Sequence, residues 1–164
     1  MDGYSAEVTI DGDYVKVKVD QQDLEQSQQE FYEITTLCEK RQFKEAHSRL
    51  EQFLKKHSRH SEGYRILAQM EMEAGNIDKA IDIDIEALRC DPKNAWALLL
   101  MGNLYSKYKD DYKVGRTYYD SVLKYSPDNF IAINNIAAIM MEKKDYEHAI
   151  PMFEHALKGD KKYA

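Results

Sequence analysis

The sequence predicts an all-α fold, a superhelix of about four helical hairpins, with a short β-hairpin at the N-terminus. Three observations support this prediction. Small residues recur along the chain at spacings of 34, 35 and 34 residues, and the apolar residues between them follow a helical period. Residues 4–20 instead alternate between polar and apolar side chains, which is typical of strands. The 164-residue chain also has only three prolines and seven glycines, few for an all-β protein.

The repeat is visible in two series of residues that keep the same spacing. The first series contains the small residues Ala46, Ala80, Gly115 and Ala149, and the second contains the apolar residues Phe43, Ile77, Tyr112 and Tyr146. A repeat of this length predicts stacked pairs of helices, since each pair buries its apolar face only against its neighbours. We expect a hairpin segment at 1–22 and a repeat domain at 23–164, with units of about 24–58, 61–94, 95–129 and 130–161.

The second unit shows how each repeat divides into two helices. Its first half, SEGYRILAQMEMEAG, has a helical apolar stripe that Gly75 ends as a C-cap. In its second half the stretch AIDIDIEAL, residues 80–88, alternates like a strand when it is taken alone. The register of the repeat nevertheless predicts a helix, in which Ile81, Ile85 and Leu88 lie on adjacent turns.

These units resemble the tetratricopeptide repeat (TPR) family, whose pattern combines large, small and aromatic residues in the first helix with Ala, an aromatic residue, Ala and Pro in the second. In the second unit, YRILAQME is followed by the matching Ala80, Ala87 and Pro92. MGNLY in the third unit and IAAIM in the fourth match as well, the third with one extra residue in KYKDDY. The first helix of the first unit fits only after a shift of one residue. The resemblance covers about residues 24–158 and implies a right-handed superhelix that serves protein–protein interaction.

In proteins of this family the first helix of each unit lines a concave groove that holds a peptide or protein segment. The resemblance implies that the groove residues here are Arg65, Ile66, Gln69, Met72, Trp96, Leu99, Leu100, Asn103, Asn134, Asn135, Ala138 and Met141, with Glu62, Ser106 and Ile131 at the remaining positions. Such a set suits a peptide, because apolar side chains provide burial and amides pair with its backbone. Trp96, the only tryptophan, is the expected hot spot. The alternative is that Trp96, Leu99 and Leu100 pack against neighbouring helices.

Members of the family that bind chaperone tails carry a clamp of Lys and Asn residues over three consecutive units. Here Arg65 and Gln69 match that clamp only loosely. Leu100 stands where an Asn is needed, and Asn134 and Asn135 stand in place of basic residues. The incomplete clamp predicts that an acidic chaperone tail is not the partner.

Glu71 and Asp84 occupy positions of the second unit that the family fills with large apolar residues. A buried carboxylate without a partner is costly. Each could reach a tyrosine hydroxyl or a cation, or a small helix rotation could leave both at the edge of the core. We favour the rotation, in which Ile83 or Ile85 takes the buried place. A functional carboxylate pair is the third alternative, and nothing nearby in the sequence completes such a site.

Both ends of the chain carry apolar residues that need a covering surface. One face of the predicted N-terminal hairpin, whose turn is DGD, collects the residues Val8, Ile10, Val15, Val17 and Val19. An isolated hairpin is marginal in water, so this one packs on the helices, pairs with a second chain or joins a sheet outside this sequence. No polar capping element is visible after Leu157, which favours a longer chain over a second copy at that end.

The sequence predicts no catalytic, cofactor or metal site, because it holds no GxSxG, HExxH, CxxC or P-loop motif. His57 and His60 lack a carboxylate or cysteine companion. The net charge of −6 disfavours nucleic acid as a partner. The sequence shows neither a signal peptide nor an apolar run long enough to span a membrane, and Cys38 and Cys90 fit reduced thiols, so we expect a cytoplasmic location.

We therefore expect a non-catalytic module that binds a protein or peptide of unknown identity in its groove. A first alternative is self-assembly as a homodimer through the N-terminal hairpin or the uncapped last helix. A second alternative is the regulatory or docking domain of a larger enzyme or complex.

Overall fold

Two antiparallel strands open the described part of the chain. The computed structural model describes residues 6–11, 14–19 and 21–160. Strand β1 (Ala6–Asp11) pairs with β2 (Tyr14–Val19) in a register that sets Val8 opposite Val17. Since side chains alternate along a strand, this register places the side chains of Val8 and Val15 on the same face of the hairpin. Residues 12 and 13, at the centre of the predicted turn, lie outside the described residues.

Eight helices follow within the described residues and pair in sequence order, which confirms the predicted all-α architecture. They are α1 (Gln21–Glu39), α2 (Phe43–Lys56), α3 (Ser61–Glu73), α4 (Ile77–Cys90), α5 (Ala95–Asn103), α6 (Tyr112–Tyr125), α7 (Phe130–Glu142) and α8 (Tyr146–Asp160). Each pair packs within itself, and α3, α5 and α7 also pack against the pair before. The stretch AIDIDIEAL is helical, within α4. Residues 161–164, at the end of the predicted last unit and repeat domain, lie outside the described residues.

The turn between the two helices of each hairpin repeats the same backbone geometry. One residue in each turn has a positive φ, and these residues are Arg41 at 59°, Gly75 at 84°, Asp110 at 54° and Lys144 at 60°. They follow the register of the repeat. Gly75 is the residue predicted to end α3, and its N–H donates to the Met72 carbonyl at 3.0 Å. A left-handed residue just past a helix end satisfies carbonyls that would otherwise lack a donor.

The extra residue of the third unit is absorbed inside a helix. α5 continues directly into a π-helical turn at Leu104–Tyr108, where N–H groups bond five residues back instead of four. The N–H of Lys109 accordingly donates to the carbonyl of Leu104 at 3.1 Å. A single inserted residue is accommodated in this way, which explains the longer spacing between Ala80 and Gly115.

The interior is filled by the small and apolar residues of the repeat. Ala46, Ala80 and Ala149 are each 0% exposed. Among the glycines of the described residues, Gly102 is the most tightly enclosed, since a Cβ there would lie 2.2 Å from Cε1 of Tyr119. Only glycine leaves room at this position for the buried Tyr119 ring.

Glu71 and Asp84 are both buried, so the predicted rotation to the edge of the core is wrong. Glu71 is 3% and Asp84 0% exposed, whereas Ile83 and Ile85 are only partly buried. The physical reason lies in the packing of α4. Ala80, one turn before Asp84 on the same face, is fully buried in the cluster between α3, α4 and α5, and this contact fixes the rotation of the helix.

Glu71 is paired with a cation and two further groups, one of the alternatives that the sequence left open. Its Oε1 accepts a hydrogen bond from Lys79 Nζ at 2.6 Å and lies 2.7 Å from His47 Nε2. Its Oε2 accepts from Asn76 Nδ2 at 2.7 Å. Burial acts to raise the pKa of Glu71, but these three bonds outweigh it and lower the pKa to about 2. The carboxylate thereby ties α2 to α3 and α4.

Glu71→Gln is expected to lower the free energy of unfolding by about 1–2 kcal/mol at neutral pH, because an amide loses the charge and one acceptor. The pKa is depressed in the folded state, so the contribution of Glu71 is complete above pH 4.5 and is lost as the pH falls towards 2. Urea unfolding at neutral and acidic pH measures both effects. The exposed Glu73→Gln is the control, and a pH-independent difference between Glu71→Gln and wild type would contradict the assigned pairing.

Candidate functional site

The predicted groove residues lie on α3, α5 and α7, the first helices of the last three units. Those with accessible surface are Arg65, Ile66, Gln69, Met72, Trp96, Asn103, Asn134, Asn135, Ala138 and Met141. Trp96 is 58% exposed and Met141 is 40% exposed, so this surface offers apolar area to solvent. Large apolar side chains at this level of exposure are candidates for contact with a partner.

Leu99 and Leu100 lie outside this accessible surface. They are 4% and 6% exposed, Leu99 in the cluster shared with α6 and α7 and Leu100 in the cluster shared with α3 and α4. α5 lies between two units, so adjacent residues of its sequence are buried on opposite flanks. Packing against neighbouring helices, the alternative from the sequence, describes these two leucines but does not describe Trp96.

Asn103 and Asn135 meet across the boundary between the third and fourth units. The Tyr119 hydroxyl donates to Asn103 Oδ1 at 2.9 Å, and Asn135 Nδ2 donates to the same oxygen at 3.4 Å. Burial raises the pKa of Tyr119, so its hydroxyl stays a neutral donor that fixes the Asn103 amide. These two hydrogen bonds use neither Asn103 Nδ2 nor Asn135 Oδ1. The pair therefore presents the NH2 group of Asn103 as a donor and Oδ1 of Asn135 as an acceptor.

A cavity of about 260 Å³ lies beside this amide pair. Its lining consists of Ser106, Lys107, Tyr112, Tyr119, Asn135, Ala138, Ile139 and Glu142. The π-helical turn contributes Ser106 and Lys107, so the inserted residue of the third unit shapes one wall. Amide, hydroxyl and both signs of charge surround the opening, an arrangement that can bind polar groups of a ligand.

Sequence reasoning missed the part that Tyr119 takes in this site. The residue matches the aromatic position of the repeat, which indicates a core side chain, and it is indeed only 1% exposed. Its hydroxyl, however, lies 3.2 Å from Ser106 Oγ and bonds Asn103. The sequence signal for this wall of the cavity was the extra residue in KYKDDY. An inserted residue can form a π-helical turn, and such turns are frequent at functional sites.

Arg65, the cation among the predicted groove residues, is engaged by its own helix. It donates from Nη1 to Gln69 Oε1 at 2.5 Å, and from Nε and Nη2 to Glu62 Oε1 at 3.1 and 2.5 Å. Its side chain is only 16% exposed. The positive charge is thus neutralised within α3, which makes this part of the predicted groove a poor site for an acidic ligand.

The stacked hairpins form a helical-repeat scaffold, and comparison with known proteins identifies the repeat. The family profile described as tetratricopeptide repeat matches residues 34–95, from within α1 to the start of α5. Residues 34–95 therefore match the tetratricopeptide repeat family. The third and fourth units continue the same TPR register, with the small residues Gly115 and Ala149 at the positions of Ala46 and Ala80.

Solved structures with the same fold superpose on most of this chain. A crystal structure of MamA has a TM-score of 0.72 and 19% sequence identity, and the match covers 84% of this chain and 80% of that chain. The MamA fragment 41-end from Desulfovibrio magneticus RS-1 has a TM-score of 0.69 and 16% identity, with 82% and 75% covered. PilW, described as a widely conserved type IV pilus biogenesis factor, has a TM-score of 0.75 and 17% identity, with 86% and 63% covered. At these identities the likeness establishes the fold.

No curated protein matches the sequence of this chain. Within the described residues, none of the helices combines the length and the apolar character needed to cross a membrane. The same part of the chain contains no group of three or more His, Cys, Asp or Glu side chains that could hold a metal ion.

Proposed function

We propose that this chain is a non-catalytic interaction module that holds an extended peptide or protein segment in its concave groove. The observation that supports the proposal is the Asn103–Asn135 pair, which offers a donor NH2 group and an acceptor oxygen, with Asn135 lining the cavity of about 260 Å³. A peptide group carries one C=O and one N–H, so the two amides can bind it together. The TPR fold is that of known protein–protein interaction modules.

The chemistry around the amide pair favours an uncharged, partly apolar segment. Trp96 and Met141 provide exposed apolar surface, and Ala138 lines the cavity itself. An aromatic anchor surrounded by polar groups is typical of the residues that dominate binding energy. Arg65 does not attract an acidic segment, since Glu62 already neutralises it.

Peptides selected from a random library on the wild-type chain are the probes that test this proposal. The triple variant Trp96→Ala, Asn103→Ala, Asn135→Ala is expected to bind them roughly tenfold more weakly or worse, because it lacks the aromatic anchor and both amides. Isothermal titration calorimetry measures the affinities. Asn103 also accepts from buried Tyr119, so Trp96→Ala alone, at an exposed site, provides a second variant whose folding is unaffected.

The matched controls are Gln52→Ala and Tyr125→Ala, at exposed positions of α2 and α6, second helices of their units. Both are expected to retain the affinity of the wild type for every selected peptide. Equal affinities for the triple variant and the wild type would contradict the groove.

Self-assembly is a second candidate function, favoured by the N-terminal hairpin. Val8 is 47% and Val15 65% exposed, and the strand register places them on the same face. Exposed strands of this kind pair readily with another chain. If the hairpin forms a dimer, Val8→Lys with Val15→Lys converts it to a monomer in light scattering. A monomeric wild type at tens of micromolar would contradict self-assembly.

We also propose a cytoplasmic location, since the two cysteines, Cys38 in α1 and Cys90 in α4, lie in different units and suit thiols of a reducing compartment better than a disulfide framework. Cell fractionation tests this, and recovery of the chain from an oxidising compartment would contradict it.

A further inference from the structure

The cavity of about 260 Å³ beside the amide pair has the size of a pocket for one side chain. Pockets that hold a whole small-molecule ligand measure about 300–1,000 Å³. Ser106 and Tyr119 are 5% and 1% exposed and form its inner end, whereas Lys107 and Glu142 are exposed and lie at its mouth. A group that enters the cavity therefore passes the two charges before it reaches the two buried hydroxyl groups.

The three hydroxyl groups that line the cavity have their protons engaged by other groups of the chain. Ser106 Oγ donates to the carbonyl four residues earlier at 2.6 Å, and the Tyr119 hydroxyl donates to Asn103 Oδ1 at 2.9 Å. Each hydroxyl has one proton, so neither proton serves the 3.2 Å contact between these two oxygens. The Tyr112 hydroxyl donates to Asp110, and this bond raises the pKa of Tyr112. All three oxygens are therefore left as hydrogen-bond acceptors.

The mouth of the cavity carries one charge of each sign, on different walls. Lys107 belongs to the π-helical turn and Glu142 to the end of α7. In the described part of the chain, neither of these two side chains forms an ion pair. Lys107 offers only donors and Glu142 only acceptors. The mouth therefore suits a group that is uncharged and has a donor as well as an acceptor.

A primary carboxamide meets these demands, since it has two N–H donors, one acceptor oxygen and no charge. Its N–H groups can donate to Ser106 Oγ and Glu142, and its oxygen can accept from Lys107. An ammonium or guanidinium group would be repelled by Lys107. A carboxylate would be repelled by Glu142, and it brings no donor for the hydroxyl oxygens. An aliphatic side chain would cover those oxygens without bonding them, which is costly.

We propose that this cavity is the specificity pocket of the groove and binds the side-chain carboxamide of a glutamine in the bound segment. The inference rests on the proposed function, in which the amide pair holds the backbone of that segment. Glutamine is favoured over asparagine because the acceptors Ser106 and Tyr119 lie at the inner end, and its longer stem can pack along Ala138 and Ile139. The π-helical turn, which supplies Ser106 and Lys107, thus sets the specificity.

Two parallel selections from a random peptide library test the proposal. One uses the wild-type chain and the other uses the double variant Lys107→Met, Glu142→Gln. Both replaced side chains are exposed, and urea unfolding checks that the double variant is folded. We expect glutamine to be enriched at one fixed position of the peptides selected on the wild type. On the double variant, that enrichment is expected to disappear.

Charge exchange in a selected peptide gives the sharper test. Replacing its glutamine by Glu, Lys or Met is expected to weaken binding to the wild type roughly tenfold in calorimetry. Glu142→Gln is expected to restore the affinity of the Glu peptide alone, and Lys107→Met that of the Lys peptide alone. The matched controls Lys44→Met and Glu154→Gln, at exposed positions of α2 and α8, are expected to leave all affinities unchanged.

The proposal is overturned if the wild type enriches no glutamine, or if the two charge exchanges restore neither peptide. It is also overturned if the Lys peptide binds the wild type as tightly as the glutamine peptide, since the cavity then takes a cation. The triple variant of Trp96, Asn103 and Asn135 separates this failure from that of the groove. If that variant loses binding while replacing the glutamine has no effect, the groove stands and the pocket is wrong. If it binds like the wild type, both are wrong.

Discussion

Asp84→Leu is expected to raise the free energy of unfolding by about 2–4 kcal/mol at neutral pH. Asp84 is 0% exposed, and neither of its carboxyl oxygens has a hydrogen-bond partner among the described residues. Leu50, at the equivalent position of the first unit, is also fully buried, so the repeat accepts leucine here. The substitution removes an unsatisfied polar group and adds apolar contact.

The gain in the free energy of unfolding from Asp84→Leu is expected to grow as the pH rises, because the buried Asp84 of the wild type resists losing its proton. Burial raises the pKa of Asp84 to about 8, while Arg65 acts in the opposite direction and Glu62 adds to the rise. Between pH 3.8 and about 8 the folded state holds a proton that the unfolded state has lost. Wild-type stability linked to Asp84 therefore falls by about 1.4 kcal/mol per pH unit as the pH rises through this window.

Urea unfolding of both proteins at several pH values across this window measures the effect. The advantage of Asp84→Leu over wild type is expected to grow with pH and to level off above about 8. Taking the difference between the two proteins cancels other titrations, such as that of His60, whose pKa burial lowers. Asp82→Leu, at an exposed site of the same helix, is the control. A constant difference at all pH values would contradict a buried, unpaired Asp84.

Asp84→Leu also addresses whether the carboxylate serves binding. If the variant is more stable and still binds the peptides selected on the wild type, Asp84 destabilises the core and has no part in binding. Loss of peptide binding together with a gain in stability would instead assign the carboxylate to the function of the groove.

Gly102→Ala is the second substitution with a large expected effect, a loss of about 1–3 kcal/mol of stability. A Cβ at this position would lie 2.2 Å from Cε1 and 2.6 Å from Cζ of Tyr119, whose ring is 1% exposed. Alanine favours a helix over glycine by about 1 kcal/mol, so the steric cost has to exceed that gain. We expect it to do so, because Tyr119 is also held by Asn103 and Ser106.

A second substitution in the same contact provides the check. In a Tyr119→Leu background, Gly102→Ala is expected to cost less stability than it does in the wild type, or to raise stability. The clash with the tyrosine ring is then absent, and the higher helix propensity of alanine remains. Chemical denaturation of the four proteins completes a double-mutant cycle. Additive effects of Gly102→Ala and Tyr119→Leu would contradict the close contact.

The repeat allowed the fold to be predicted from sequence. Residues such as Ala80 and Ala149 keep a fixed spacing because the same helix-to-helix contact recurs, and this long register outweighed the local alternation of AIDIDIEAL. The same register placed Trp96, Asn103 and Asn135 on the accessible side of the first helices. The spacing of residues in the sequence is therefore enough to predict structure where the same helix-to-helix contact recurs in every unit.

The features that the sequence did not predict are those specific to one unit. Asp84 was expected at the edge of the core because an unpaired buried acid is unfavourable, yet the alanines of α4 hold it inside. Leu99 and Leu100 are both buried because α5 contacts units on both flanks. The π-helical turn at Leu104–Tyr108 was visible only as an extra residue, and how the chain absorbs it depends on the packing.

Fluorescence of Trp96, the only tryptophan, provides the most direct measurement of binding in the groove. Its side chain is 58% exposed in the free chain, so burial by a peptide changes its surroundings strongly. On titration with a peptide selected on the wild type, we expect the emission to shift to shorter wavelength and to saturate, and Asn135→Ala to weaken that transition several-fold. Saturable peptide binding that leaves the Trp96 emission unchanged and is unaffected by Asn135→Ala would contradict the proposed groove.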